Sequence, residues 1–359
     1  MTGRVRARRR DDASLAALVD DALAPTDLAA LAHPEDWPLG AGGAPAALPP
    51  EMWDRALGDL TREILARPSR QFRARLAEMS FRLAGGAGSA PRWLGAMIEV
   101  IHAGSLIVDD VEDGSTERRG APCLHRTFGV GPAINGGSWM YFWALQMVER
   151  LEPATPLVRD RLYRMLADTL ARCHLGQALD LSARVWQLAR TDVSRVVASS
   201  TTLKTGTLME LAAGLGAVVG GAPAEQEAAL ARFGRRLGVG LQMLDDFGNL
   251  TGGDGAKARE DLRNGTPTWP WALAAERLDG AAFGALQAAA QTVAESGDAG
   301  SAAARALAAR LRAAVGFEGR RQASRYLAQA LADLRAAVGD RPEIPLVTSE
   351  IRRLEVSYG

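Results

Sequence analysis

Strand signals, aromatic residues and cysteines are all scarce in this chain of 359 residues. Phe, Trp and Tyr together make up 6% of it, and alternation of apolar and polar residues is nearly absent. A fold that alternates strands with helices is therefore not expected. The two cysteines, Cys123 and Cys173, lie far apart without metal-ligand spacing, which predicts two reduced thiols.

An excess of charge of either sign is also missing. The chain has 42 Lys and Arg against 42 Asp and Glu, so no global field favours nucleic acid or an acidic membrane, and an anionic substrate would need local basic clusters. We find no apolar run of about 18 residues that predicts a transmembrane segment. The arginine-rich residues 4–10 are not followed by the apolar stretch of a secretory signal, so we expect a cytoplasmic protein.

Helical patterning is what the sequence does contain. Hydrophobic residues make up 47% of the chain, and apolar positions recur at steps of three and four residues, which predicts an all-α helical bundle of about ten or more helices. Residues 12–23 predict a short amphipathic helix, and residues 33–50 are rich in Pro, Gly and Ala. We expect a partly flexible N-terminal extension over residues 1–50 and one helical domain over residues 51–359.

The first chemical signal is an aspartate cluster at the end of an apolar segment. Asp109 and Asp113 are one helical turn apart and share a face, and Asp110 lies beside them. Three like charges there repel one another, and a Mg²⁺ ion would relieve that repulsion. Alone, this spacing also fits a solvated acidic helix end.

A second cluster follows the apolar residues 237–244. Asp245 and Asn249 are again four residues apart, with Asp246 between them. Unpaired charge at the end of a buried helix would be costly. Two such clusters predict facing carboxylates across a central cavity, where they would hold several Mg²⁺ ions on one diphosphate.

Basic residues suited to a diphosphate accompany both clusters, although each also fits a solvated surface charge. Arginine presents a planar fork of donors that matches phosphate oxygens. His102 lies two turns before Asp109 on the same helix face and fits either a phosphate contact or a hydrogen-bonded core histidine. The other basic candidates are Arg70, Arg73, Arg118, Arg119, Lys204 and Lys257.

Together these motifs resemble the trans-isoprenyl diphosphate synthases, the polyprenyl synthetase family. The similarity runs from about Ser69 to Pro270, with its pieces in the family's order and near its spacing. The matching pieces are residues 99–110, Arg118-Arg119-Gly120, Phe128-Gly129, residues 134–137, Gly176-Gln177, Lys204-Thr205, residues 242–246 and residues 260–270.

The resemblance implies an isoprenoid-synthase-type bundle that condenses an allylic diphosphate with isopentenyl diphosphate, using Mg²⁺. It implies Mg²⁺ ligands at Asp109, Asp110, Asp113 and Asp245, with Asp246 in support and Asn249 in the motif's last position. It implies that isopentenyl diphosphate is held by Arg70, Arg73, His102 and Arg119. It implies that the allylic diphosphate is held by Arg118, Lys204 and Lys257. Oxygens of Thr205 and Gln242 would stabilise the allylic cation.

Several positions depart from the family pattern. Asn249 stands where an aspartate is usual, Thr266 where a lysine is frequent, and Gln71 where an arginine is often found. The segment of residues 251–260 is short, which displaces Lys257. These departures leave open a non-catalytic partner subunit of a prenyl synthase. A class I terpene cyclase is a further alternative, but it leaves the isopentenyl-diphosphate residues unexplained.

Product length depends on the residues before Asp109 on the same helix. Gly104 and Ser105 are small and should not stop a growing chain, whereas Ile101 and Met97 are large enough to close the tunnel one or two turns further on. The aromatic run of residues 139–143 also fits a tunnel floor. We predict a C20 product, with C15 next. The resemblance further implies a homodimer, in which the apolar residues 206–221 could pack against a second copy.

Overall fold

The computed structural model describes residues 15–22, 50–152, 154–251, 256–297 and 301–357. Most of the predicted N-terminal extension therefore lies outside the described residues, including the segment expected to be flexible. Helix α1 (Leu15–Ala22) confirms the short helix predicted there. The domain boundary predicted between residues 50 and 51 stays a prediction.

The described residues are almost entirely helical, which confirms the all-α fold class. The helices that follow α1 are α2 (Pro50–Trp53), α3 (Asp59–Ala66), α4 (Phe72–Leu83), α5 (Arg92–Glu112), α6 (Leu124–Thr127), α7 (Val130–Gln146), α8 (Pro156–Ser182), α9 (Arg190–Thr201), α10 (Thr207–Val219), α11 (Ala224–Thr251), α12 (Ala256–Asn264), α13 (Trp269–Arg277), α14 (Gly280–Ser296), α15 (Ala302–Val315), α16 (Glu318–Val338) and α17 (Ile344–Ser357). A two-residue antiparallel pair, β1 (Glu117–Arg118) and β2 (Ala121–Pro122), forms a small hairpin.

The chain divides into two compact units. The first comprises residues 1–70 and 100–144, and the second comprises residues 71–99 and 145–359. In the first unit, α1 packs against α3, where Leu60 and Ile64 are buried. The end of α5 meets α7 with almost no side chain between them, since a Cβ on Gly104 would lie 2.6 Å from the carbonyl oxygen of Gly137.

The core of the second unit is built around α10, which packs against both α4 and α11. Gly216 on α10 allows the close approach to α4, because a Cβ there would clash with the carbonyl oxygen of Ala77. Nearly every residue of α10 is buried. The suggestion that residues 206–221 pack against a second copy is therefore wrong for α10, because its apolar side chains are already covered by the chain's own helices.

In the part of the chain that the structure describes, no helix has the length and hydropathy needed to cross a membrane. Both cysteines are free thiols, as predicted. The central cavity expected between the aspartate clusters stays a prediction.

Candidate active site

The first aspartate cluster lies at the C-terminal end of α5, as its spacing predicts. The N–H of Asp113 donates to the carbonyl oxygen of Asp109 at 2.9 Å, so these residues occupy successive turns. The Asp110 side chain is almost fully buried at 3% exposure, whereas that of Asp109 is 14% exposed. The cluster is therefore not the solvated acidic helix end that its spacing alone also allowed.

Arg118 on β1 pairs with two carboxylates of this cluster. Its Nε donates to Oδ1 of Asp110 at 2.8 Å, its Nη2 pairs with the same oxygen, and Nη2 lies 3.6 Å from Oδ2 of Asp109. Burial lowers the pKa of Arg118, but the hydrogen bond and charge of Asp110 raise it by more, so its net pKa rises. The neighbouring Cys123 thiol has a pKa raised to about 12 by burial and by Asp110.

The turn between β1 and β2 carries the second arginine of the motif. Arg119 and Gly120 connect the two strands, and both have positive φ, 57° and 79°. Positive φ at both central residues of a two-residue hairpin is the geometry of a type I′ turn. Glycine adopts it freely, whereas a residue with a side chain such as Arg119 is held there against a steric cost.

The remaining basic candidates occupy the regions around α4 and α5. Arg70 is exposed just before α4, and Arg73 is half-buried in its first turn. Buried Glu99 accepts the N–H of Ala74 at 3.1 Å and so caps this helix. His102 lies half-buried on α5, where its carbonyl oxygen accepts the hydroxyl of Ser105. Helix α4 begins at Phe72, directly after Gln71, which has φ 44°.

The second acidic cluster lies near the C-terminal end of α11. Asn249 Nδ2 donates to Oδ2 of Asp245 at 3.3 Å, so the amide that replaces the usual aspartate pairs with the first residue of its own motif. Asp246 is buried and accepts hydrogen bonds from Nε2 of Gln242 at 2.8 Å and from the N–H of Trp269 at 3.0 Å. Burial raises the pKa of Asp246 to about 8, against the lowering effect of these donors.

A chain of hydrogen bonds links this cluster to the Lys204-Thr205 segment. Thr205 Oγ1 donates to Oε1 of Gln242 at 3.1 Å, and Gln242 passes the chain on to Asp246 through its Nε2. In this network the Gln242 amide directs its Nε2 to Asp246 and its Oε1 to the hydroxyl of Thr205. The hydroxyl oxygen of Thr205 and the amide oxygen of Gln242, which the family resemblance implies for stabilising the cation, therefore lie next to each other.

Lys204 and Thr205 lie in a π-helical turn, Thr202–Gly206, between α9 and α10. Single π-turns inside helices occur often at functional sites. Helix α8 approaches the turn closely at Gly176, where a Cβ would lie 2.6 Å from the backbone nitrogen of Lys204. The Lys204 Nζ pairs with Asp180 at 2.9 Å.

Two residues of this region were missed by the sequence analysis. Asp180 lies one turn after Gly176 on α8 and holds the ammonium of Lys204, a position that its spacing from Gly176 could have suggested. Trp269 holds Asp246 through a backbone N–H, which no side-chain pattern reveals.

Lys257 belongs to α12, but its side chain lies outside the described residues. The backbone N–H of Thr266, where the family often has lysine, donates to the carbonyl oxygen of Asp261 at 3.1 Å.

The chemistry of the donors suits Mg²⁺, which prefers oxygen ligands and is usually held by one or two carboxylates together with substrate phosphates. Each cluster offers such oxygens: Asp109 in the last turn of α5 with Asp113 directly after the helix, and Asp245 beside Asn249 on α11. Among the described residues, no group of three His, Cys, Asp or Glu side chains is arranged to hold a metal ion. The oxygen donors of each cluster fit a Mg²⁺ ion that phosphate oxygens also bind.

Comparison with known sequences identifies relatives of this chain. The profile of the family described as polyprenyl synthetase matches residues 54–305. A protein named geranylgeranyl pyrophosphate synthase 2, from Zymoseptoria tritici, is 33% identical over 177 residues, which cover 48% of this chain and 51% of that protein. The chain thus spans about half the length of the first curated relatives it matches.

Comparison with solved structures supports the fold. A decaprenyl diphosphate synthase from Rhodobacter capsulatus has a TM-score of 0.72 and 22% identity, over 96% of this chain and 99% of that chain. A polyprenyl synthase from Caulobacter crescentus, solved with calcium and isoprenyl diphosphate, has a TM-score of 0.71 and 23% identity, over 85% and 91% of the two chains. At these identities the likeness establishes the helical fold alone.

Proposed function

This chain belongs to the polyprenyl synthetase family, and we propose that it condenses an allylic diphosphate with isopentenyl diphosphate, head to tail, to give a trans-prenyl diphosphate. The observation that carries the proposal is the arrangement at the end of α5. Asp109 and Asp113 lie on successive turns there, and Arg118 lies beside them. This combination of carboxylates and a guanidinium suits a metal-bound diphosphate.

We propose that Mg²⁺ is the cofactor and that it neutralises the charge of the leaving diphosphate. The two motifs that would hold it comprise Asp109, Asp110, Asp113, Asp245, Asp246 and Asn249. Asp109, Asp113 and Asp245 are half-buried, whereas Asp110 and Asp246 are buried and already bonded to Arg118 and to Gln242. The half-buried three are therefore the direct ligands in this proposal, and the buried two hold neighbouring groups in place.

The residues of the chain would prepare the allylic group for bond cleavage. We assign Arg118, Lys204 and Lys257 to the allylic diphosphate, because preorganised cations stabilise the charge that develops on a leaving group. The oxygens of Thr205 and Gln242 lie 3.1 Å apart and present lone pairs to a developing cation. Asp246 fixes the amide so that its oxygen, and not its NH₂ group, faces Thr205.

The second substrate would be held by Arg70, Arg73, His102 and Arg119. Its double bond attacks the allylic cation, and a proton is then lost from the adduct. We propose that the departing diphosphate accepts this proton. No side chain has to act as a nucleophile in this reaction.

We propose a C20 product, with C15 next. Gly104 faces the backbone of Gly137 on α7, because a Cβ there would lie 2.6 Å from the carbonyl oxygen of Gly137. Its small size serves the contact between the two helices. Ser105 is half-buried, and Ile101 and Met97 are buried. Ile101 and Met97 stay the candidates for residues that end chain growth.

We also propose a homodimer. Helix α7 carries exposed apolar side chains at Val130, Ile134 and Phe142, and Phe142 is 65% exposed. These three positions lie within one third of the helix circumference, which is the arrangement expected of a face that packs against another helix. The measured mass in light scattering would be that of two chains, and a monomeric mass would refute this part.

The test of the proposed reaction is an assay with labelled isopentenyl diphosphate, Mg²⁺ and, in separate reactions, dimethylallyl, geranyl, farnesyl or geranylgeranyl diphosphate. We expect label in an extractable prenyl diphosphate only when both substrates and the metal are present, with a C20 product by mass. Hydrocarbon released from one allylic diphosphate alone would indicate a terpene cyclase. An inactive chain that changes the products of another prenyl synthase would indicate a partner subunit.

A further inference from the structure

The hairpin that presents Arg118 and Arg119 is too short to hold itself in place. It has two residues in each strand, and its turn keeps Arg119 in the left-handed region with φ 57°. Isolated two-stranded hairpins are marginal in water, and a side chain in this backbone region adds strain. Other parts of the chain must therefore fix its geometry.

Arg67 makes contacts that do this. It is the residue that ends α3, with an extended backbone at ψ 145°, and its side chain is only 6% exposed. Its Nη1 donates to the carbonyl oxygen of Arg118 at 3.0 Å, and its Nη2 donates to the carbonyl oxygen of Pro122 at 2.8 Å. These two carbonyl groups lie on opposite sides of the turn.

The charge of Arg67 is balanced within its own helix. Glu63, one turn earlier on α3, accepts a hydrogen bond from Nη2 at 2.7 Å. The guanidinium is thereby neutralised and oriented before it reaches the hairpin. A planar fork suits this task, since two donors of one rigid group span two acceptors, which an ammonium group cannot do with the same geometry.

We propose that Arg67 is a positioning residue for substrate binding: by clamping the carbonyl groups of Arg118 and Pro122, it holds the strained turn and directs Arg119 toward its diphosphate. This inference rests on the proposed function, which assigns Arg119 to isopentenyl diphosphate. The side chain of Arg118 is also held by Asp110, so loss of the clamp acts mainly at the strained tip of the turn.

A purely structural role for Arg67 makes a different prediction. If Arg67 only joined α3 to the hairpin, its loss would lower stability and reduce the amount of active protein, which lowers the apparent kcat and leaves both KM values unchanged. A positioning role changes the KM of one substrate. Displacement of a binding group by about 1 Å can cost up to about 100-fold.

The test compares Arg67→Met and Arg67→Lys with Arg62→Met as the matched control. Arg62 belongs to the same helix and pairs with Asp54 and Asp59, away from the turn. For Arg67→Met we expect the KM for isopentenyl diphosphate to rise about tenfold, with the KM for the allylic substrate and kcat within about threefold. Arg67→Lys should restore part of the loss, and Arg62→Met should leave all three constants unchanged.

Hydrogen exchange supplies a readout that does not need turnover. The peptide covering residues 115–123 should exchange faster in Arg67→Met than in the parent protein, and isopentenyl diphosphate should bind more weakly by calorimetry. Equal KM and binding values in a folded variant would overturn the proposal, as would equal loss in the Arg62→Met control. If Arg67→Met does not fold, the same comparison is made with Arg67→Lys, for which an unchanged KM overturns the proposal.

The experiments distinguish failure of the proposed reaction from failure of the positioning role of Arg67. If the parent protein forms no prenyl diphosphate, the reaction is wrong, whereas exchange and calorimetry still measure whether Arg67 orders the turn and the binding of isopentenyl diphosphate. If the parent protein is active and the variant binds as tightly as the parent, the reaction stands and the positioning role is wrong.

Discussion

The two aspartate motifs have similar sequences but are held in opposite ways. In the first, buried Asp110 is bonded to the cation Arg118, which also lies 3.6 Å from Asp109. In the second, buried Asp246 is bonded to neutral donors, the amide of Gln242 and the N–H of Trp269, and its pKa is raised to about 8. One buried aspartate is thus paired with a charged side chain, and the other is hydrogen-bonded only to neutral donors.

This difference in hydrogen-bond partners determines how each motif can respond to a substrate. Arg118 is both the counter-ion of the first motif and a proposed ligand of the allylic diphosphate, so that motif can exchange an internal pair for an external anion. The second motif uses its buried carboxylate to orient Gln242 and, through it, Thr205. The first motif is suited to binding charge, and the second to fixing neutral oxygens near a reacting carbon.

Loss of Asp109 should reduce activity most, and it tests whether the first motif binds the charged metal and diphosphate. Asp109→Asn should lower kcat by about 100-fold or more, because a direct ligand of the metal and its diphosphate is lost. Steady-state assays across Mg²⁺ concentrations measure this. Exposed Glu112, three residues later on the same helix, provides the control: Glu112→Gln should stay within about twofold. Turnover of Asp109→Asn close to that of the parent protein would remove the basis of the proposed reaction.

The contrast between the two buried carboxylates predicts unequal losses of stability. Without metal or substrate, Asp110→Asn should lower the free energy of unfolding by about 2–3 kcal/mol, because Arg118 loses its counter-ion. Asp246→Asn loses one acceptor between neutral partners and should cost about 1 kcal/mol. Urea denaturation at neutral pH measures both.

A double variant decides whether the charge pair causes that difference. The effects of Asp110→Asn and Arg118→Met should be non-additive, with a coupling free energy of about 1–2 kcal/mol. Additive losses, or equal losses for Asp110→Asn and Asp246→Asn, would contradict the distinction drawn between the motifs.

Much of this arrangement could be predicted from the sequence because it depends on local spacing. Asp109 and Asp113 share a helix face as a consequence of the helical period, and the apolar steps before Asp245 predict the buried end of α11. The order of motifs from Ser69 to Pro270 also indicated the helical fold.

What the sequence could not show are the partners that packing brings together. Lys204 meets Asp180, and Thr205 meets Gln242, across 24 and 37 residues of chain. Gly104 illustrates the same limit: its small size fits both an open tunnel and a close helix contact, and only the position of Gly137 distinguishes them. Within one unit these pairings depend on how α5 packs against α7, and within the other on how α8 and α11 pack against the π-helical turn, which no single segment encodes.

A moderate effect is expected from breaking the neutral network of the second motif. Gln242→Leu removes the acceptor of Thr205 and one donor to Asp246, so kcat should fall about tenfold and stability by about 1–2 kcal/mol. Gln226→Leu on the same helix is the matched control, since Gln226 donates to the carbonyl oxygen of Leu83 at 2.8 Å. The control should lose similar stability without the loss of kcat. Similar kcat losses in both variants would show that the network acts only through folding.

The smallest loss of stability is expected where a glutamate paired with arginines is only partly buried. Glu350 on α17 accepts bonds from Arg353 and Arg75, and the hydrogen bond from Arg353 is the main cause of its lowered pKa, which burial opposes. Because the folded-state pKa is lowered, the stabilisation is present above the usual pKa of glutamate and is lost as the pH falls through the lowered value. Glu350→Gln should therefore cost about 0.5 kcal/mol at pH 7.

The pH dependence separates this charge effect from a packing effect. The difference in stability between the parent protein and Glu350→Gln should shrink as the pH falls below the usual pKa of glutamate and disappear once Glu350 is protonated in the folded state. A difference that persists at low pH would mean that Glu350 acts through packing. In that case the result for Glu350 would give no support for ascribing the larger loss of Asp110→Asn to charge. The double variant with Arg118→Met would then be the test of that cause.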